Sequence, residues 1–181
     1  MKVIRAANEL ANGSRKVCVA IGVFDGVHLG HQQIIRQTVA DARGHDAISL
    51  VVTFDRHPSA IVAPDKTPPQ IFSRSQKLRA IESLGVEALL EIPFDKTFSE
   101  KSGEVFIREL VRDLGKILSV CVGADFVFGH KRSGNVVLLK KLSAAKVRSR
   151  AGFVCARFFG TGRPSRRSRL ERSTSGSAHA L

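Results

Sequence analysis

The chain has 181 residues, 43% of them apolar and 25% charged, with a net charge of +13, enough for one globular domain plus an appendage and short for two. Its longest apolar stretches, around 48–54 and 117–123, fall well below the roughly 20 residues of a membrane helix, and the opening MKVIRAANEL lacks the apolar region of a signal peptide, so the expectation is a soluble, cytoplasmic protein with no membrane partner. The charge is uneven: residues 143–181 hold nine Lys and Arg against the single acidic Glu171, while the first 142 carry a net charge of only +5.

In chain order, Val17 to Gly22 reads as a buried strand, and Leu29 to Arg43 places Ile34, Ile35, Thr38, Val39 and Ala42 on one helical stripe. Ile48 to Phe54 is β-branched and continuous, as in a strand covered on both faces. A loop broken by Pro58, Pro64, Pro68 and Pro69 follows. After it come a helix near Ser75 to Leu84, a strand from Ala88 to Ile92, a helix near Gly103 to Leu114, a strand from Ile117 to Val122 and a helix near Asn135 to Ala145. Strands alternating with helices predict an α/β domain: a parallel sheet covered on both faces, with ligands at the carboxyl ends of its strands.

The first strand-to-helix junction carries the densest chemistry. In GVFDGVHLGH, Gly22 and Gly26 permit tight turns, and the helix starting near Leu29 aims its free N–H groups at the crevice. His28 and His31 bring two imidazoles to the same point, and Gly30 leaves room for phosphate against the backbone. Preorganised donors around a phosphate suit nucleotidyl transfer, in which charge builds on the α-phosphoryl oxygens and the departing pyrophosphate.

Beyond about Leu142 the composition turns to Arg, Ser and Gly without periodicity, which reads as a loosely packed or disordered basic tail over 143–181. Such a tail can hold a phosphate backbone, but the first 142 residues carry no comparable excess, and nucleic acid is not the expected partner. Cys18, Cys121 and Cys155 are far apart with no C-x-x-C, and read as buried thiols rather than a metal site or disulfide.

Three blocks stand in order: GVFDGVHLGH (Gly22 to His31), VVTFDRHPSAIV (Val51 to Val62) and VGADFVFGHKRSGN (Val122 to Asn135). With them the chain resembles the H-x-G-H nucleotidyltransferases, and among these the FMN adenylyltransferase module of prokaryotic bifunctional riboflavin kinase/FMN adenylyltransferases, the FAD synthetases, over residues 1–142. The resemblance implies a Rossmann-like nucleotidyltransferase sheet and transfer of AMP from ATP to FMN, giving FAD and pyrophosphate, with Mg²⁺. It also implies roles. Gly22, Val23, Phe24, Asp25 and Gly30 border ATP; His28 and His31 contact its phosphates as the catalytic pair; Asp125 lies near phosphate or metal, with no metal site made by protein alone. Thr53, Phe54, His57 and Pro58 shape the flavin side, and Arg132 neutralises phosphate charge. Each has a plainer reading beside it: Asp25 fixes its turn, Phe54 fills the core, His57 ends a strand, Asp125 caps a turn, and Arg132 with Lys131 belongs to a solvated loop.

The family pattern continues to an S-S-T-x-x-R segment that binds ATP phosphates and then to a riboflavin kinase domain; neither is expected in residues 143–181. The sheet is therefore expected to be truncated, without its last strand and with an unpaired edge, the tail to be an out-of-frame reading, and turnover to be reduced or lost. Two other readings remain: an H-x-G-H enzyme of cytidylyltransferase or pantetheine-phosphate adenylyltransferase type, and a non-catalytic remnant that binds flavin or nucleotide.

Overall fold

The structure, a computed structural model, describes residues 1–10, 16–146 and 155–159. A short β1 (Lys2–Ile4) precedes β2 (Lys16–Ile21), α1 (Leu29–Gly44) and β3 (Ala47–Phe54). The proline-rich stretch holds one helical turn, α2 (Ser59–Val62), and leads to α3 (Arg74–Glu82) and β4 (Ala88–Ile92). Then come α4 (Lys96–Ser99), α5 (Gly103–Leu114), β5 (Ile117–Gly123), the hairpin strands β6 (Val127–Phe128) and β7 (Gly134–Asn135), α6 (Val136–Lys146) and β8 (Cys155–Phe159).

Among the described residues the main sheet has six strands in the order β1-β4-β3-β2-β5-β8, every pairing parallel. Strand alternation divides it into two faces. Val17, Val19 and Ile21 of β2, with Leu50, Val52, Val120 and Val122, pack against Phe106, Ile107, Leu110, Val111 and Leu114 of α5 and Leu139 of α6. On the opposite face Ala20, Val51, Leu89 and Cys121 meet Ile34, Ile35 and Val39 of α1 and Ile81 of α3. The chain thus builds outward from β2 through β3 to β4 with helices on one face, then returns to the other side of β2 as β5 with helices on the second face. The reversal makes the carboxyl ends of β2 and β5 the switch point, where an open α/β sheet leaves a crevice.

Helix boundaries follow local chemistry. Ser73 caps α3 by accepting from the Gln76 amide while Gln76 reaches back to the Ser73 N–H, a capping box. Ser102 caps α5 through the Val105 amide, and Gly115, at φ +74°, ends it.

The expectation of a missing last strand is corrected. Cys155–Phe159 forms β8 in register with Ser119–Gly123 of β5, so the sheet continues one strand beyond β5. Alternation failed to reveal it because the five residues stand among arginines. The helix before it also runs to Lys146, past the boundary set at 142. The remaining expectations for the tail, its loose packing and the lack of an S-S-T-x-x-R segment, fall on residues outside the described ones. Cys18 and Cys121 are buried in β2 and β5; the side chain of Cys155 lies outside the description. No described helix is long and apolar enough to cross a membrane.

Candidate functional site

The turn from β2 into α1 departs from ordinary backbone. Phe24, Gly26 and Val27 take φ of 52°, 72° and 40°; for a β-branched residue this is a costly conformation that only the surrounding structure can hold. What holds it is Phe24, whose ring is fully buried and folds back over Gly22. A Cβ at position 22 would stand 2.9 Å from the ring tip, so glycine is needed there for close approach rather than for an unusual φ. Thr53, at the end of β3, donates to the Val23 carbonyl at 2.9 Å and locks the turn to the next strand.

The two histidines meet. Their ring centroids lie 3.6 Å apart at 26°, a stacked pair, and Phe24 closes the other side of His31 edge-on at 5.2 Å. His28 occupies the N-cap position of α1 in extended conformation, and its side chain makes no capping bond. The first amides of α1 have no intrahelical acceptor, so this helix begins with its positive end uncapped beside two imidazoles. Gly30 keeps that first turn bare: a Cβ there would touch the His28 ring at 3.4 Å. The Nδ1 atom of His31 is buried and without a hydrogen-bond partner among the described residues. Burial, then the neighbouring His28 ring, lowers the His31 pKa to about 4 against a smaller opposing pull from Asp25. At neutral pH His31 is therefore an uncharged imidazole with an unspent ring nitrogen.

The other candidates divide. Asp25 turns its carboxylate to the amides of Ile71 and Phe72, at 3.2 and 3.3 Å, and so pins the segment before α3. His57 accepts at Nδ1 from the Ser59 amide at 3.2 Å and is also bonded to the Ser59 hydroxyl, which places it at the start of α2 with Pro58 between. Asp25, Asp55, Arg56, His57, Gln70, Arg74 and Lys77 surround a small void of about 40 Å³, so the first and second blocks do converge. Phe54 is only 7% exposed and packs edge-on against Phe94 and Phe98; it forms wall rather than a free stacking face.

The third block is built differently. The hairpin from Val127 to Asn135 docks on the start of α5: Ser133 accepts from the Gly103 amide, and the His130 amide donates to Lys101. A Cβ at Gly103 would lie 2.5 Å from the Gly134 backbone, so these glycines are there for contact. Arg132 sits at the exposed hairpin tip with φ +58°. Asp125 is exposed in the turn directly after β5, neighbour of β2, at the same carboxyl edge as the histidines.

Sequence reasoning missed several residues here. Phe126 and Phe128, both half-buried, stack at 5.0 Å and extend an aromatic row that runs through Phe106 and Phe98 to Phe54. Lys77 is buried and Arg74 grips the buried Glu91 through three hydrogen bonds of 2.8, 3.0 and 2.7 Å. The position of Lys77 one turn before Ile81, on the inward stripe of α3, was the available signal. A cavity of about 590 Å³ at the β1–β4 edge, among Ile92, Pro93, Phe98 and Phe106, shares no residue with the first turn.

The model of a family described as FAD synthetase matches residues 10–151. The bifunctional riboflavin kinase/FMN adenylyltransferase of Buchnera aphidicola subsp. Schizaphis graminum is 32% identical over 142 residues, 78% of this chain and 46% of the relative. That of Escherichia coli K12 is 33% identical, with 78% and 45% covered, and that of Bacillus subtilis 168 is 34% identical over 122 residues, with 67% and 38% covered. The chain spans about half the length of the curated relatives it matches. A crystal structure described as a macrolide-efflux protein from Streptococcus pneumoniae superposes with a TM-score of 0.68 at 21% identity, over 88% of this chain and 50% of that one, which establishes the α/β fold alone.

Proposed function

Since the chain belongs to the FAD synthetase family, we propose that its domain transfers AMP from ATP to the phosphate of FMN, giving FAD and pyrophosphate. The observation that carries this reading is the stacked His28–His31 pair at the uncapped start of α1, with its buried, unspent ring nitrogen. An oxygen of the FMN phosphate attacks the α-phosphorus of ATP in line, a new P–O–P linkage forms, and the bond to the β-phosphate breaks with pyrophosphate leaving. No protein nucleophile enters. The free amides of α1 and the two imidazoles donate to the phosphoryl oxygens as charge gathers there, the preorganised stabilisation that such a step needs. Gly22, Val23, Phe24, Asp25 and Gly30 shape the nucleotide side of the crevice.

Thr53, Phe54, His57 and Pro58 are assigned to the acceptor side, with the half-exposed Phe126–Phe128 stack offering ring faces to a planar isoalloxazine. Arg132 is the candidate cation for the acceptor phosphate. Mg²⁺ is assigned to the substrate phosphates, with Asp125 the candidate protein ligand. When bound, Mg²⁺ supplies charge neutralisation at the leaving pyrophosphate. The domain is assigned to residues 1–142 with α6 and β8 completing it, small molecules are its partners, and ATP dependence fits a cytoplasmic enzyme.

The test uses the chain's own composition. With neither Trp nor Tyr, the chain lacks the electron-donating side chains that most strongly quench a bound flavin. Incubation with FMN, ATP and Mg²⁺ is expected to quench that fluorescence as FAD forms, with one pyrophosphate released per FAD. Quenching without pyrophosphate would identify a flavin-binding remnant, and turnover with CTP in place of ATP on another phosphorylated acceptor, or with a pantetheine phosphate in place of FMN, would identify the other nucleotidyltransferase classes.

A further inference from the structure

Lys77 is the one lysine buried among the described residues, and no step of the proposed transfer uses it. Its ammonium reaches from α3 to the carbonyl of Phe54 at 2.7 Å, at the last residue of β3 where the chain leaves the sheet for Asp55, Arg56, His57 and Pro58. Three carboxylates, Glu91, Asp25 and Asp55, attract it and Arg74 repels it. All three carboxylates have other work as well. Glu91 is gripped by Arg74, and Asp55 accepts from the Phe94 amide at 2.9 Å. Asp25 belongs to the turn of the histidines and reaches the amides of Ile71 and Phe72.

Lys77 therefore stands where two turns come together. On one side Thr53 ties the end of β3 to Val23. On the other, Lys77 holds the carbonyl of Phe54 and faces Asp25 across the small void that both help to line. The nucleotide side of the crevice is the first turn and the acceptor side is the second. In-line transfer needs the attacking oxygen about 3–3.5 Å from phosphorus, and a misplacement of about 1 Å lowers rate by about a hundredfold.

We propose that Lys77 is a positioning residue for adenylyl transfer: through the Phe54 carbonyl and the Asp25 carboxylate it sets the distance between the turn that holds the nucleotide and the turn that presents the acceptor. The proposal rests on the adenylyltransferase reading above. Lys77 touches neither substrate, so its removal leaves ATP affinity in place and lowers the rate of transfer.

The experiment compares Lys77→Met and Lys77→Arg with the wild-type chain. For Lys77→Met, kcat for FAD formation is expected to fall about 30-fold while the Kd for ATP by calorimetry stays within about threefold. Lys77→Arg keeps the charge but lengthens the reach, and is expected to lower kcat about tenfold at an unchanged melting temperature. A purely structural role would be met by the guanidinium, so an Arg variant with wild-type kcat overturns the proposal, and it decides the matter if the Met variant does not fold. Hydrogen exchange separates this result from the activity itself. Faster exchange of the amides of both turns, 22–27 and 55–59, with the sheet core unchanged supports the proposal even if the wild-type chain makes no FAD, an outcome that would remove the adenylyltransferase reading instead. Loosening of one turn alone, or of the whole domain, overturns it.

Discussion

The starts of α1 and α3 face the same edge of the sheet and are finished in opposite ways. Helix α3 satisfies itself: Ser73 and Gln76 close a capping box, and the loop before it is bonded through His57 to Ser59, Asp55 to Phe94 and Asp25 to Ile71 and Phe72. Helix α1 does not. Its N-cap is a histidine that caps nothing, its entry turn is held at positive φ by a buried phenylalanine, and a buried imidazole nitrogen is left without a partner. A fold that brings backbone strain, an uncapped helix start and an unpartnered imidazole nitrogen together at one point, while closing α3 beside it with a capping box, marks that point as the place where an outside group supplies the missing partners.

The largest expected effect breaks this contrast at α1. Replacing His28 and His31 together by Ala is expected to lower FAD formation by at least about a thousandfold, since one such donor is worth about a hundred- to a thousandfold. Its melting temperature should hold, because the pair makes no bond the fold depends on. Loss of activity together with loss of folding would show that the pair is core, not site.

The next effect sharpens the role of the third block. Gly103→Ala would push a Cβ to 2.5 Å from the Gly134 backbone, and the hairpin that carries Arg132 would have to leave α5. Overpacking against backbone is expected to lower stability by about 1–3 kcal/mol in thermal unfolding. An unchanged melting temperature would mean that the hairpin is not docked as described.

The third concerns charge at His31. Its pKa, 6.5 when unfolded, is about 4 in the folded chain. Below pH 6.5 the unfolded state takes up a proton that folded His31 refuses until about pH 4, so the ligand-free protein keeps this contribution to stability above pH 6.5 and loses it as pH falls toward 4. A triphosphate beside the ring reverses the preference by favouring the cation. ATP binding is therefore expected to take up a proton, and to tighten by up to about tenfold as pH drops from about 7 to about 5, relative to a His31→Ala variant. Calorimetry in buffers of different ionisation enthalpy reads the proton directly.

Much of this contrast was legible in the residues. The run Val17 to Gly22 and the stripe of Ile34, Ile35, Val39 and Ala42 predict β2 and α1 within a residue or two, because buried strands and amphipathic helices write their period into the chain. The histidine pair was legible because two imidazoles three residues apart, on either side of Gly30, stand where a strand gives way to a helix. Elements without a period were not. β1 has three residues and β6 and β7 two each, too few to alternate. The five residues of β8 were submerged in an arginine-rich composition, although pairing with β5 decides their state. Lys77 was not singled out: its place one turn before Ile81 puts it on the inward stripe of α3, but the Phe54 carbonyl that accepts from it stands 23 residues away in the chain. Phe54 could be read either as core or as stacking face; its neighbours Phe94 and Phe98, forty residues on, place it in the wall.

The smallest effect tests the contrast from both ends at once. Ser73→Ala removes the acceptor for the Gln76 amide at the start of α3, and the loss of such a cap is expected to lower stability by about 1 kcal/mol. Transfer should be unaffected apart from any change in the folded fraction. His28→Ser does the converse: serine at the N-cap of α1 can accept from the free amides of the first turn, so stability is expected to rise by up to about 1 kcal/mol while activity falls. Crossed signs are the required result, measured as melting temperature against FAD formed per folded molecule. If His28→Ser proved less stable than the wild type, the imidazole would already be a structural partner of that helix start. The difference between the two helices would then reflect a second style of capping rather than a vacancy kept for phosphate.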